Sequence, residues 1–132
     1  PATLKINSLK KVHKYNFEGK KLLIRSIPVQ HGYIESMSYI INNKCAYAPD
    51  VKKIHPNDLK YFKNLKFFVV DCLRYDPHPS HFNLDDVLKL VKIIKPQKTI
   101  LTNLNNEIDY VEIKKKLPKE IIPAYDGISF LI

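Results

Sequence analysis

Five histidines are spread over the 132 residues, and two of them, His78 and His81, share the short segment Pro77-His78-Pro79-Ser80-His81. Histidine and carboxylate do most metal and proton chemistry near neutral pH, and here they recur where apolar runs end. His31 with Gly32, Asp50, Asp71 followed by His78 and His81, and Asn103 with Asn105 each follow a segment expected to be a strand. In α/β folds the loops leaving strand ends on one rim hold ligands, because strands fix the backbone while loops carry the polar groups. A histidine and an aspartate delivered from separate strands suit zinc, manganese or iron. Plainer readings stand beside this one. From spacing alone His31 reads more readily as a turn residue than as a ligand and Asp50 at least as readily as a turn cap, and one of His78 and His81 can cap the following helix while the other faces solvent. His13 and His55 sit among lysines and prolines in surface-like segments and receive no role. Asp126 in Tyr125-Asp126-Gly127 reads as a tight turn between strands.

The elements that must position these residues follow from pattern. Residues 21–29 form an apolar, β-branched run that feeds the loop at His31. Residues 37–41 and 45–47 are two short strands around the turn Asn42, Asn43, Lys44, a hairpin ended by Pro49 and Asp50. Pro56 to Leu65 suits a short helix with Leu59, Phe62 and Leu65 on one face, and residues 67–70 are a wholly apolar strand running into Asp71. Asn83 can cap a helix in which Leu84, Val87, Leu88, Val91 and Ile94 recur at helical spacing until Pro96. A strand over 99–101, a polar loop over 102–109, a basic-ended helix over 110–117 and two last strands, 121–124 and 128–132, complete the chain. Hairpins come first and βα pairs later, so the fold class is α/β, a mixed sheet with helices.

Length predicts one domain over residues 1–132, and no repeat or linker interrupts it. With 22 Lys+Arg against 13 Asp+Glu the formal charge is +9, yet 45% hydrophobic and 27% charged residues are ordinary for a globular chain, which excludes disorder over most of it. The lysines are dispersed, with Lys114, Lys115 and Lys116 the densest block and Arg25 and Arg74 the only arginines. A solvated surface, or a basic rim that draws phosphate-bearing substrates to a cleft, accounts for them better than a dedicated nucleic-acid face. No apolar run reaches the roughly 18 residues of a membrane span, and the first residues lack a signal-peptide core, so the expected location is cytoplasmic. Cys45 and Cys72 lie in apolar stretches and read as buried thiols.

Four stretches in order, Tyr47-Ala48-Pro49-Asp50-Val51, Val70-Asp71-Cys72-Leu73-Arg74, His78-Pro79-Ser80-His81-Phe82-Asn83-Leu84 and Ala124-Tyr125-Asp126-Gly127, resemble the metallo-β-lactamase fold hydrolases, nearest their cyclic-phosphate phosphodiesterase branch. The resemblance runs from Val29 to Ile132 and implies the C-terminal half of the αββα sandwich. It implies that His31 is a metal-binding histidine, that Asp50 is the aspartate bridging two metals, and that His81 acts catalytically on the phosphate or the leaving group. It also implies zinc or manganese as cofactor in the intact family, with none bound by this chain as the alternative, and a small phosphate ester as substrate. The family's HxHxDH cluster is not in this sequence, and where the last metal-binding histidine is expected the chain reads Leu101-Thr102-Asn103-Leu104-Asn105-Asn106. Asparagine is a weaker zinc ligand than imidazole, so a truncated or degenerate hydrolase, inactive or nearly so alone, is expected. A half-sandwich would expose the sheet that its other half covers, which predicts a homo-oligomer or a complementary N-terminal half as partner. The alternative functions are a non-catalytic interaction scaffold and, behind it, a basic nucleic-acid module.

Overall fold

The computed structural model describes residues 8–132. Its elements in chain order are β1 (Val12–Phe17), β2 (Lys20–His31), β3 (Ile34–Ile41), β4 (Cys45–Ala48), a short 3-10 helix (Pro56–Tyr61), β5 (Phe67–Asp71), α1 (Leu84–Ile94), β6 (Lys98–Thr102), α2 (Tyr110–Lys116) and β7 (Ile121–Pro123). All the strands join one seven-stranded sheet in chain order. Pairing is antiparallel from β1 to β4 and parallel from β4 to β7. This is the expected α/β architecture, hairpins first and βα crossovers after.

Local chemistry explains the turns. Between β3 and β4, Asn42 and Asn43 both take positive φ, +51° and +53°, as the two central residues of the turn that the Lys44 N–H closes onto the Ile41 carbonyl, and asparagine tolerates that region. Asn42 Oδ1 also accepts the Leu23 N–H at 2.8 Å, tying the turn to β2. Asn83 caps α1 by accepting the Asp86 N–H, two aspartates occupy the first turn, and Lys95 ends the helix in a left-handed conformation.

Side-chain alternation gives the sheet two unlike faces. The register places Ile27, Val29, Ile40, Ala46, Ala48, Phe68, Val70, Leu101 and Ile121 on one face. There they pack with Phe62, Leu65, Val87, Leu90, Ile94, Ile108 and Ile113 from the helices and loops. The other face carries His13, Tyr15, Ile24, Ser26, Tyr39, Ile41 and Tyr47, which line an open groove together with Leu9. Tyr15 and Tyr47 are exposed there.

Four expectations need correction. Strand β1 was not expected: Val12–Phe17 is too polar to read as a strand, and its pairing with β2 makes it one. The helix expected over Pro56 to Leu65 is a 3-10 helix of six residues that stops at Tyr61, and Asn64 beyond it has φ +55°. Residues 128–132 form no strand. The Tyr125–Ile128 turn closes through the Ile128 N–H to the Tyr125 carbonyl, so Asp126 lies in a turn with a strand on one side only. Beyond it the chain becomes a strap, with Phe130 stacked on Phe67 at 4.3 Å and the Leu131 carbonyl accepting from Lys66 Nζ. Finally, neither His78 nor His81 caps α1, because Asn83 holds that position.

Candidate metal centre

The three residues singled out as metal or catalytic candidates meet. One potential ligand atom from each of His31, Asp50 and His81 lies within 4.8 Å of the others, and all three side chains are half-buried. They arrive from separate places: His31 ends β2, Asp50 follows β4 across Pro49, and His81 ends the loop that leaves β5. The rings of His31 and His81 stand edge to face with centroids 4.5 Å apart.

Hydrogen bonds fix which nitrogen each ring presents. His31 Nδ1 lies 2.8 Å from the Ser80 carbonyl oxygen. A carbonyl only accepts, so Nδ1 carries the proton and Nε2 keeps its lone pair. His81 Nδ1 lies 2.5 Å from Asp71 Oδ2, so His81 likewise donates from Nδ1 and presents Nε2. Metal-ligating histidines are commonly held in this way, by a carbonyl or a carboxylate on the far nitrogen.

Asp71 is fully buried, and Oδ2 also receives a long contact from the Val51 N–H, while Oδ1 has no partner. Burial pushes its carboxyl above the ordinary value of 3.8, against the hydrogen bond and charge of His81 and the Val51 N–H, which pull it down. In the sequence Asp71 is a strand-end acid to which neither pattern nor resemblance assigns a part in the site. The available signal was an acid closing a wholly apolar strand ahead of a His-x-x-His loop.

The rest of the rim holds these groups in place. Gly32 has φ +62°, and a Cβ there would come within 3.0 Å of Ser80 Cβ, so only glycine lets the β2–β3 hairpin press against the loop that His31 must reach. Arg74 donates to the carbonyls of Asp76 and Pro77, and Lys52 pairs with Asp86 at 2.7 Å. His78 Nδ1 accepts from the Ser80 and His81 N–H groups. Burial first, then the charge of Arg74, the neighbouring His81, the charge of Lys52 and His31, hold His78 below its ordinary value of 6.5.

Asn103 and Asn105 each make a hydrogen bond of their own. Asn103 donates its amide to the Pro49 carbonyl at 2.6 Å, beside Asp50, and Asn105 Oδ1 accepts the Glu107 N–H within its own loop. Among the described residues no fourth His, Cys, Asp or Glu joins the cluster. The two imidazoles and one carboxylate fit a divalent transition metal, but zinc ordinarily takes at least four ligands. His13 and His55 have local roles, His13 accepting the Lys10 N–H and His55 capping the 3-10 helix. Cys45 and Cys72 are buried free thiols, as expected.

A family model described as the beta-lactamase superfamily domain matches residues 2–102. The chain belongs to that family. Among solved structures, a diphosphatase of the PhnP family is 25% identical, with a TM-score of 0.84 over 94% of this chain and 47% of that one. A metallo-beta-lactamase fold protein of Bacillus subtilis is 14% identical with a TM-score of 0.73, covering 92% of this chain and 54% of its own. The short form of human tRNase Z is 14% identical with a TM-score of 0.67, covering 90% and 46%. The chain therefore spans about half the length of these structures. No curated protein matches the sequence. Among the described residues no helix is long and apolar enough to cross a membrane.

Proposed function

We propose that this chain is one half of a metal-dependent phosphoesterase, with His31 and Asp50 as metal ligands and His81 acting on the phosphoryl group or the leaving oxygen. The observation that carries this reading is the meeting of the three side chains within 4.8 Å, with Nδ1 of both rings already engaged. A bound divalent ion, zinc or manganese by the character of these donors, would polarise a phosphoryl oxygen and lower the pKa of bound water. The chain's own contribution is orientation and proton delivery. His31 and Asp50 present their donors from two rigid strand ends. His81, held by Asp71, can pass a proton from Nε2 to a leaving oxygen when that nitrogen is protonated. The similarity to a diphosphatase at 25% identity supports a phosphate-bearing substrate.

With His81 kept for the phosphoryl group, the two metal donors His31 and Asp50 leave the site short, and the open sheet face belongs to the same sheet. We infer that a complementary half of similar length covers that face with a second sheet and supplies the remaining ligands, and that residues 1–132 alone are inactive or nearly so. The similarity of this chain to about half of longer structures supports a complementary half over a second copy of this chain. Two buried thiols suit a reducing compartment such as the cytoplasm.

Metal content after dialysis against trace zinc and manganese tests the reading, with His31→Ala alongside. Wild-type protein is expected to retain metal above the variant's level, and added inorganic phosphate to raise the amount. Equal, background metal in both proteins would overturn it. Light scattering during size-exclusion chromatography reports on the face: a stable homodimer that retains metal would replace the complementary half with a second copy.

A further inference from the structure

His78 contributes no atom to the ligand cluster, yet its ring is the most heavily engaged acceptor on the rim. Its Nδ1 receives the Ser80 N–H at 3.3 Å, the His81 N–H at 3.3 Å and a contact from Ser80 Oγ at 3.2 Å. A nitrogen that accepts backbone N–H groups cannot itself carry a proton, so His78 holds its proton on Nε2, the opposite arrangement from His31 and His81. The His81 N–H and the Ser80 carbonyl belong to one peptide unit, and that peptide is trans. A trans peptide directs its N–H and C=O to opposite edges of one plane. His78 binds one edge, and His31 Nδ1 donates to the other.

We infer that His78 is a positioning residue, which fixes the Ser80–His81 peptide plane and thereby sets the tautomer and aim of His31 on a different strand. The link runs from His78 Nδ1 through that one peptide to His31 Nδ1–H. Arg74 holds the start of the same loop through the Asp76 and Pro77 carbonyls, and the close approach of Gly32 to Ser80 leaves the peptide little room to turn by itself. His81 has a separate anchor in Asp71, so it is independent of His78 in this respect. The inference rests on the proposed metal centre for its purpose, but its geometry is a property of the chain without metal.

The test is nitrogen-15 NMR of the imidazoles in the metal-free chain of 132 residues. Wild-type protein is expected to show His31 and His81 protonated on Nδ1 and His78 on Nε2. In His78→Ala, His31 should lose its single tautomer while His81 keeps its own, a pattern that general unfolding would not produce. In His78→Asn, whose Oδ1 can take the place of Nδ1, the His31 signal should return. If the alanine variant does not fold, His78→Phe keeps a ring without the acceptor and should behave as described for alanine. Zinc affinity should fall at least tenfold in His78→Ala and stay within about threefold of wild type in His78→Asn. An unchanged His31 tautomer in a folded variant lacking the acceptor would overturn the inference, as would failure of asparagine to restore it. Wild-type protein that shows all three tautomers but binds no metal would overturn the proposed function and leave this inference standing.

Discussion

Two loops leave neighbouring parallel strands on the same rim, and they use their polar residues in opposite ways. The loop after β5 ends in His81 and is backed by Asp71, which is fully buried and accepts from that ring with Oδ2. The loop after β6 is also polar, but Asn105 spends its oxygen on the Glu107 N–H and Asn103 spends its amide on the Pro49 carbonyl. A polar side chain at a strand end thus becomes a candidate ligand when another group engages its far side and leaves a lone pair facing the cluster. When it closes its own turn instead, as Asn105 does, it becomes part of the scaffold.

If the loops rather than the strands make this difference, the two strands should be equally deep. Phe68 in β5 and Leu101 in β6 have no exposed surface. Phe68→Ala is expected to cost about 3–5 kcal/mol and Leu101→Ala about 2–5 kcal/mol in urea denaturation. A negligible cost for either would break the comparison at its base.

The next effect belongs to the contact between the β2–β3 hairpin and the first loop. Gly32→Ala is expected to cost about 1–2 kcal/mol for its left-handed backbone, with more from the approach to Ser80. The same variant should retain less metal than wild type, since the His31 bond to Ser80 cannot form undisturbed. Unchanged metal retention would show that the hairpin does not depend on that loop.

On the second loop, Asn105→Ala is expected to cost about 0.5–1.5 kcal/mol through the lost turn bond and to leave metal retention unchanged. A loss of metal would place Asn105 among the ligands and remove the contrast between the loops.

The smallest effect is chemical. Burial, with the Asp71 charge second, pushes the Cys72 thiol from its ordinary 9.0 up to about 12. A folded-state pKa above the unfolded one favours the folded protein while the thiol stays protonated, and that contribution is lost as pH rises from about 9 toward the raised value. At pH 8 the native thiolate fraction is on the order of one in ten thousand, so a thiol reagent should label Cys72 only on unfolding. Rapid labelling of the native chain would mean that the end of β5 is more open than its neighbour.

Much of the scaffold was legible because its determinants are local. The apolar run of β5, the helical spacing and asparagine cap of α1, and the Asn42-Asn43 turn each state their structure within a few residues. β1 was not legible, because its hydrogen bonds come from β2 and its composition alone reads as surface. The final segment failed in the other direction: its composition suits a strand, but it lies across the sheet through Phe130 instead of pairing with a neighbour.

The sequence by itself determined most of the ordered elements, the buried thiols and the strand-end polar groups among which the resemblance singles out His31, Asp50 and His81, because residue type and strand-end position are both written in the chain. Only the tertiary structure decided which nitrogen His31 and His81 present and that Asp71 stands behind His81. The His31 bond depends on Ser80, 49 residues away, and the place of Asp71 behind His81 depends on burial, and no local pattern encodes either.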